Sequence, residues 1–327
     1  MKTVLVVGGL GYIGSHVVQD LTEHNYNVVV LDDLSEGHRE SLNNSNVDFI
    51  CANINDTGAL ENVFTKYSID VVMHFSAFAY VGESVDNPQK YYLNNVCATI
   101  NLLSAMLRHN VKKFIFSSSC ATYGVPEYTP IDEAHPQNPI NPYGATKLMV
   151  ERILNDYHHA YDFDYCALRY FNAAGADPSG KIGESHRIET HLIPLVLKTL
   201  TGEKQNISIF GDDYETPDGT CIRDYIHVCD LSLAHRLAME LILDNGGSYC
   251  VNLGTGMRTS VKDIIKACED ITGRTVPVVV SRRRCGDPAV LVASTDYAKK
   301  LLGWSASYTN IHDIIKTAWN WEQNKKY

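Results

Sequence analysis

Short apolar runs recur along the first half of the chain, each separated from the next by a longer stretch with helical spacing. Residues 3–7 (TVLVV), 27–31 (NVVVL), 47–51 (VDFIC), 69–75 (IDVVMHF), 113–118 (KFIFSS) and 165–171 (YCALRYF) are rich in β-branched or aromatic residues and nearly continuous. Such runs suit strands buried on both faces of a parallel sheet. Between them, 15–24, 89–109 and 143–160 carry amphipathic spacing and predict helices. The alternation predicts an α/β fold, a Rossmann-type doubly wound parallel sheet with right-handed crossovers.

After Phe171 the texture changes. Residues 172–187 (NAAGADPSGKIGESHR) are rich in Gly, Pro, Ser and charge and read as a loop. The remainder mixes helical and short strand patterns and carries three consecutive arginines, Arg282 to Arg284. The expected organisation is a dinucleotide-binding domain over 1–171 and a smaller mixed α/β C-terminal substrate domain over 172–327.

Composition narrows the function. Of 327 residues, 45% are hydrophobic and 20% charged, as in an ordinary soluble enzyme. The formal net charge of -10 opposes binding to nucleic acid or an anionic membrane, so neither is expected as a partner. An anionic substrate would therefore need a local cluster of arginines. The nine cysteines include no CxxC, and Cys221 and Cys229 fit no zinc spacing. No metal ligand is assigned, and scattered thiols suit a reducing compartment. Neither a signal-peptide core nor a run of roughly 18–20 apolar residues is present, so a soluble cytoplasmic protein is expected.

The first strand runs into Gly8-Gly9-Leu10-Gly11-Tyr12-Ile13-Gly14 and then a helix. Gly8 permits a tight turn, Gly11 lets the backbone approach a pyrophosphate, and Gly14 lets the helix pack close to the strand. The phosphates would sit at the positive end of that helix. The second strand ends at Asp32-Asp33, where a carboxylate accepts from the adenosine ribose hydroxyls and repels a 2′-phosphate. These residues predict NAD rather than NADP.

Tyr143 and Lys147 stand four apart at the start of a predicted helix and so share one face. Chance alone supplies a Tyr/Lys pair at this spacing, so position decides. The preceding strand ends in Ser117-Ser118-Ser119, at the edge where an open α/β sheet presents ligands. Oxidising a secondary alcohol needs a base for the hydroxyl proton while hydride leaves for a nicotinamide. A free phenol titrates near ~10, so favouring phenolate near neutrality takes ~4 kcal/mol. One cation ~4 Å away at an effective dielectric of ~20 supplies about that much. Lys147 meets this need, and Ser119 would hold the reacting oxygen.

Seven segments carry a resemblance across nearly the whole chain: GGLGYIG (8–14), HFSAFAYVGES (74–84), SSSCATYG (117–124), NPYGATKLMVE (141–151), LRYFNAAGADPSG (168–180), DGTCIRDYIHV (218–228) and RRRCGDPAVL (282–291). In this order they resemble the UDP-glucose 4-epimerases of the extended short-chain dehydrogenase/reductase superfamily. The resemblance implies inversion at C4 of a UDP-sugar by reversible hydride transfer to bound NAD through a 4-keto intermediate. A short segment, around 227–253, would return to the first domain. Tyr143 would be the base, Lys147 its electrostatic partner and ribose ligand, and Ser119 the hydroxyl positioner. Tyr12, Ile13, Ile54, Phe75, Ala77, Ala79, Asn94, Ser117 and Phe171 would complete the cofactor side, with Asn53 toward the adenine. Arg223 and Arg284 align with pyrophosphate ligands, Asp287 with a ribose contact, and Asn172, His191, Leu192 and Phe210 with sugar or uridine contacts. Pairing of the 89–109 and 143–160 helices would give a homodimer.

Some positions depart from the best-known bacterial pattern. Ala79 stands where a lysine often reaches the cofactor ribose, and AYVGES resembles a subgroup that includes UDP-xylose/UDP-arabinose 4-epimerases. Asn53 replaces an aspartate, and Leu291 occupies a position linked to tolerance of N-acetylated sugars. Epimerisation of those other UDP-sugars is the alternative reading. A dehydratase or decarboxylase would carry an acid after the strand-end hydroxyl, where this chain has Cys120-Ala121. A non-catalytic NAD-sensing module would not need the intact Tyr143 and Lys147.

Overall fold

The computed structural model describes residues 1–42, 47–284 and 286–327. Seven strands form the main sheet: β1 (Thr3–Val7), β2 (Asn27–Asp32), β3 (Asp48–Cys51), β4 (Val71–His74), β5 (Lys113–Ser119), β6 (Asp164–Tyr170) and β7 (Ser248–Leu253). Their order is β7-β6-β5-β4-β1-β2-β3. The pairs β1·β2, β1·β4, β2·β3 and β4·β5 all run parallel. The order reverses between β1 and β4, so the crevice at their C-terminal ends is where such a sheet presents a ligand.

Helices α1 (Tyr12–Glu23), α2 (Thr57–Lys66), α3 (Ala98–Arg108) and α4 (Pro142–Tyr161) flank the strands in sequence. Period-2 positions of the strands, Leu5 and Val7, Val29 and Leu31, Phe114 and Phe116, Tyr165 and Ala167, enter one core. Leu60 and Phe64 of α2, Leu102 and Met106 of α3, and Val150 and Leu154 of α4 pack into the same core. Each such side chain contributes about 1.5–3 kcal/mol by leaving water. Val4, Leu5, Val6 and Val7 are all fully buried, which is why β1 reads as an unbroken apolar run.

Two expectations need correction. The 89–109 stretch is not one α-helix: Pro88–Tyr91 is α, Tyr92–Cys97 is a π-helix, and α3 follows. The widened turn lets Asn95 point inward, where it bonds both ways to the Phe78 backbone and to Thr146 Oγ1. The 172–187 stretch is not wholly loop, because Asn172–Ala174 pairs in parallel with Tyr225–His227.

The chain divides into two compact units. The first comprises Met1–Gly124, Gln137–Arg169 and Ser232–Val251; the second comprises Val125–Pro136, Tyr170–Leu231 and Asn252–Tyr327. The second has its own core. Helix α5 (Leu192–Thr201) presents Ile193, Val196, Leu197 and Leu200, a strict helical stripe, to Ile207 and Ile209. Ile264 and Cys268 from helix Val261–Thr272, and Ile314 and Ala318 from helix Ile311–Asn324, close that core. Among the described residues no helix is long and apolar enough to cross a membrane. The eight described cysteines are free thiols; Cys285 lies outside the described residues.

In the first unit a buried ion pair fastens α4 to the sheet. Glu151 of α4 accepts from Arg169 of β6 through Nε at 2.9 Å and a second guanidinium nitrogen at 2.7 Å. It also accepts from the Ser118 hydroxyl of β5 and from Gln137 Nε2. Removing one member of such a pair leaves the other charge buried and uncompensated, the costly direction. Glu151→Ala is therefore expected to lower stability in urea unfolding by about 3–5 kcal/mol. A loss below about 1 kcal/mol, the scale of an exposed pair, would refute this.

Candidate active site

The C-terminal end of β1 builds the first half of the site. Gly8 has φ +77, and a Cβ there would lie 2.5 Å from Ser76 N. A Cβ on Gly14 would lie 2.2 Å from Gly8 O, so the first turn of α1 sits directly against the strand end. Gly11 is the N-cap of α1 and no side chain caps it, so the positive helix end faces the glycine turn. Tyr12 and Ile13 open that helix.

The two aspartates at the end of β2, Asp32 and Asp33, separate into different tasks. Asp32 is buried, and its oxygens accept the N–H groups of Leu10 and Leu34 at 2.9 and 2.8 Å. Burial raises its carboxyl above the usual range against these bonds. It locks the turn. Asp33 also suffers burial, but bonds from Ser35 and the Asn53 amide outweigh it and hold the carboxyl below the ordinary range. Asp33 is thus an anion at neutral pH with Asn53 braced against it.

One pocket gathers Gly8, Gly11, Asp32, Asp33, Asn53, Ile54, Phe75, Ala77 and Asn94. Uncapped helix end, glycine turn and ribose-type carboxylate together fit an adenine dinucleotide. Ala79 is exposed and does not line this pocket, and Phe171 is buried in the second unit. Sequence reasoning missed Asn95, which ties the 75–79 loop to α4 at Thr146, between Tyr143 and Lys147. Its only sequence signal is polarity within an otherwise amphipathic stretch.

The catalytic candidates lie in the same unit. Asn141 caps α4 by accepting the Gly144 N–H at 2.8 Å, with Pro142 at the first helical position. That start places Tyr143, 8% exposed, on the second residue of the helix. A Cβ on Gly144 would lie 2.4 Å from Ala121 O, so α4 packs onto the end of β5. Lys147 is 4% exposed and donates from Nζ to Ser117 O at 2.6 Å, with the Tyr143 ring centre 5.8 Å away. Burial brings the Lys147 ammonium down to about 7, against a smaller opposing pull from Glu151. Ser119 Oγ accepts the Ala121 N–H at 3.1 Å, leaving its hydrogen to be turned toward a substrate oxygen.

The substrate-side candidates lie in the second unit. Arg223 bonds Asp287 and the carbonyls of Ile222 and Pro288, the latter two at 2.8 Å. The two residues aligned with pyrophosphate and ribose thus meet each other. Leu291 pairs in register with Arg223. Arg284 is exposed and lies 3.9 Å over the Phe210 ring, while Arg283 pairs with Asp213 and Arg282 is exposed. Asn172 donates from Nδ2 to Asp224 O at 3.0 Å. Fully buried Asp224, missed by sequence reasoning, accepts from Thr255, Gly256 and Ala293 and so fixes the Arg223 strand from behind.

His191 is the N-cap residue of α5, beside Leu192, but its Nδ1 faces Glu184 and Glu189 at 2.7 and 3.2 Å. His186 Nδ1 faces the same two carboxylates at 3.3 and 3.2 Å. Desolvation opposes protonation of both rings, although the His191 side chain is 47% exposed, and the carboxylates push His186 up to about 9 and His191 up to about 10. Sequence reasoning took His191 alone; the signal for the rest is a Glu-x-His-x-x-Glu-x-His spacing over residues 184–191.

A family model described as GDP-mannose 4,6 dehydratase matches residues 5–318. The curated UDP-glucose 4-epimerase of Halalkalibacterium halodurans is 50% identical over 320 residues, 98% of this chain and 95% of that protein. The structure of UDP-glucose 4-epimerase from Brucella ovis in complex with NAD is similar at 50% identity, with TM-score 0.95 and 98% of each chain covered. That of a UDP-glucose 4-epimerase from Stenotrophomonas maltophila, with bound NAD and formylated UDP-arabinopyranose, is similar at 37% identity and TM-score 0.95, covering 99% of this chain and 98% of that one. Identity at this level over nearly the full length resolves the broad family model into one branch. The chain belongs to the UDP-glucose 4-epimerase family, NAD-dependent isomerases within the extended short-chain dehydrogenase/reductases.

Proposed function

We propose that this protein interconverts UDP-glucose and UDP-galactose with NAD as a resident cofactor, Tyr143 as acid/base and Ser119 as the hydroxyl that positions the sugar. The observation carrying this reading is the burial of Tyr143, Lys147 and Ser119 at the β5 end, in the same unit as the glycine-turn pocket. Gly11 to Gly14 and Asp33 hold the pyrophosphate and ribose, with Asn53 toward the adenine and Lys147 on the nicotinamide ribose. What bound nicotinamide supplies is reversible hydride acceptance at C4, by which the sugar passes through a 4-ketose and returns in either configuration.

The protein's own groups handle the proton. Tyr143 Oη takes it from the C4 hydroxyl and gives it back. Lys147, anchored on the Ser117 carbonyl, holds positive charge near the phenol. Ionising Tyr143 strengthens the lysine's hold on its own proton, so the two titrate as a pair. Arg223 and Arg284 grip the diphosphate and Asp287 the ribose, while Asn172, His191, Leu192, Phe210 and Leu291 contact sugar or uracil. Binding energy placed on UDP, remote from C4, leaves the sugar loosely held and able to turn.

A second reading, 4-epimerisation of another UDP-sugar, is favoured by Ala79 and by the pentose nucleotide bound to the Stenotrophomonas protein. Incubation with UDP-galactose, UDP-arabinopyranose and UDP-GalNAc in turn, without added cofactor, is expected to give UDP-glucose fastest. A faster pentose reaction would replace the first reading with the second.

Tyr143→Phe is expected to lower kcat at least ~100-fold while NAD stays bound, measured by its release on denaturation. Unchanged turnover would remove Tyr143 from the chemistry.

Lys147 makes a pH prediction. Its ammonium sits at about 7 in the folded chain against 10.5 when unperturbed. Between those values the unfolded chain binds more protons, so stability rises with pH across that window. Below about 7 the lysine is charged in both states, and the full cost of burying the charge is felt. In cofactor-stripped protein, Lys147→Met is expected to flatten the rise in urea midpoint between about pH 7 and about pH 9. An identical slope in the variant would contradict this.

Homodimer formation through the 89–109 and 143–160 stretches is supported by exposed Leu93 and Ile100 on the first and Met149 on the second. Sedimentation at micromolar concentration is expected to give about twice 36.4 kDa. A monomer mass would refute the assembly.

A further inference from the structure

We propose that Glu184, His186, Glu189 and His191 form a closed structural site for one divalent transition metal, zinc by donor type. All four belong to the second unit, in the segment leading into α5. One donor atom from each lies within 4.8 Å of every other. The imidazole-to-carboxylate separations are 2.7, 3.2, 3.2 and 3.3 Å. A tetrahedral zinc with nitrogen and oxygen at about 2.0–2.1 Å holds its ligands about 3.3 Å apart. His186 Nδ1 lies near that spacing from both carboxylates, and His191 Nδ1 from Glu189.

Hydrogen bonding accounts for part of the arrangement only: His186 Nδ1 bonds Glu189 Oε2 at 3.2 Å. Glu184 Oε1 is buried and satisfies no hydrogen bond, although Nδ1 of His191 and of His186 lie 2.7 and 3.3 Å away. At Glu184 Oε1, close approach without hydrogen-bond direction is what lone pairs converging on a common cation produce. On binding a metal both imidazoles shed their protons, and two neutral rings with two carboxylates then carry a net charge that one divalent ion cancels. The mixed nitrogen and oxygen set suits zinc, whereas magnesium or calcium prefers oxygen alone.

The supports around the donors fit a fixed site. Glu189 Oε1 also accepts the N–H groups of Thr190 and His191 at 2.8 Å, which orients that carboxylate. Trp321 Nε1 donates to Glu184 O at 2.9 Å, and a Cβ on Gly183 would lie 2.4 Å from the same indole. Four protein donors leave no open position, so the role is to pin the start of α5, not to activate water. The site shares only His191 with the substrate contacts of the epimerase reading, and because metal content is measured without turnover the two fail separately.

The test is metal analysis of full-length protein produced in zinc-supplemented medium. About one zinc per chain is expected, with a lower thermal midpoint after chelation that zinc restores and magnesium does not. Cobalt in place of zinc should give the intense visible bands of a tetrahedral site. Glu184→Gln and His186→Gln should each cut bound zinc at least ~10-fold. The proposal is overturned if the zinc-loaded wild type holds less than about a tenth of an equivalent. It is equally overturned if both variants keep their zinc, or if chelation leaves the midpoint unmoved; the four residues are then an ion-paired cluster only. Should a variant fail to fold, the wild-type stoichiometry and the cobalt spectrum still decide.

Discussion

The first unit depends on how closely two pieces of backbone approach where β1 ends. A single methyl on Gly14 would sit 2.2 Å from the Gly8 carbonyl, and one on Gly8 would strike the backbone at Ser76. Only glycine satisfies both constraints, and together they set α1 against β1 and the 75–79 loop against the turn. The uncapped helix end, the pocket below it and the reach of Asp33 follow from that contact. Asp32 completes the arrangement by accepting Leu10 and Leu34 N–H groups, so the turn is fixed from both sides.

A second constraint acts at α4. The Gly144 contact with Ala121 and the Glu151 bonds to Arg169 and Ser118 hold the helix at both ends of the span containing Tyr143 and Lys147. Asn95 adds a third tie through Thr146. The lysine therefore cannot swing out to water to relieve its burial. Its ammonium is kept where solvation is poor, which makes its charge responsive to the phenol beside it.

Much of this was legible in the sequence because the deciding interactions were local. Strands buried on both faces leave continuous apolar runs, and a glycine turn is written in consecutive residues. The Tyr143/Lys147 pair was legible only through its position after β5. Less was legible where the deciding partner is remote. Nothing near Glu151 announces Arg169, and nothing near Asn95 announces Phe78 or Thr146. The division of labour between Asp32 and Asp33 depends on which carboxylate meets the turn's N–H groups. The excursion of Val125–Pro136 into the second unit is marked in the sequence only by its three prolines, Pro126, Pro130 and Pro136. The Glu184–His191 spacing was in plain view, but His186 and His191 gained meaning only when folding turned both Nδ1 atoms onto the same carboxylates.

The pairing of Arg223 with Asp287 carries a consequence for recognition. Three hydrogen bonds, to Asp287 and to two main-chain carbonyls, already hold that guanidinium in one orientation. On the proposed role of Arg223, an incoming diphosphate would meet an immobile fork, and little rotamer freedom would be lost on contact. The neighbouring carboxylate also offsets part of the cation's field, so the same contact attracts less strongly than a bare arginine would. Rigid geometry with tempered attraction would, in that role, favour correct placement of an anion that must later depart.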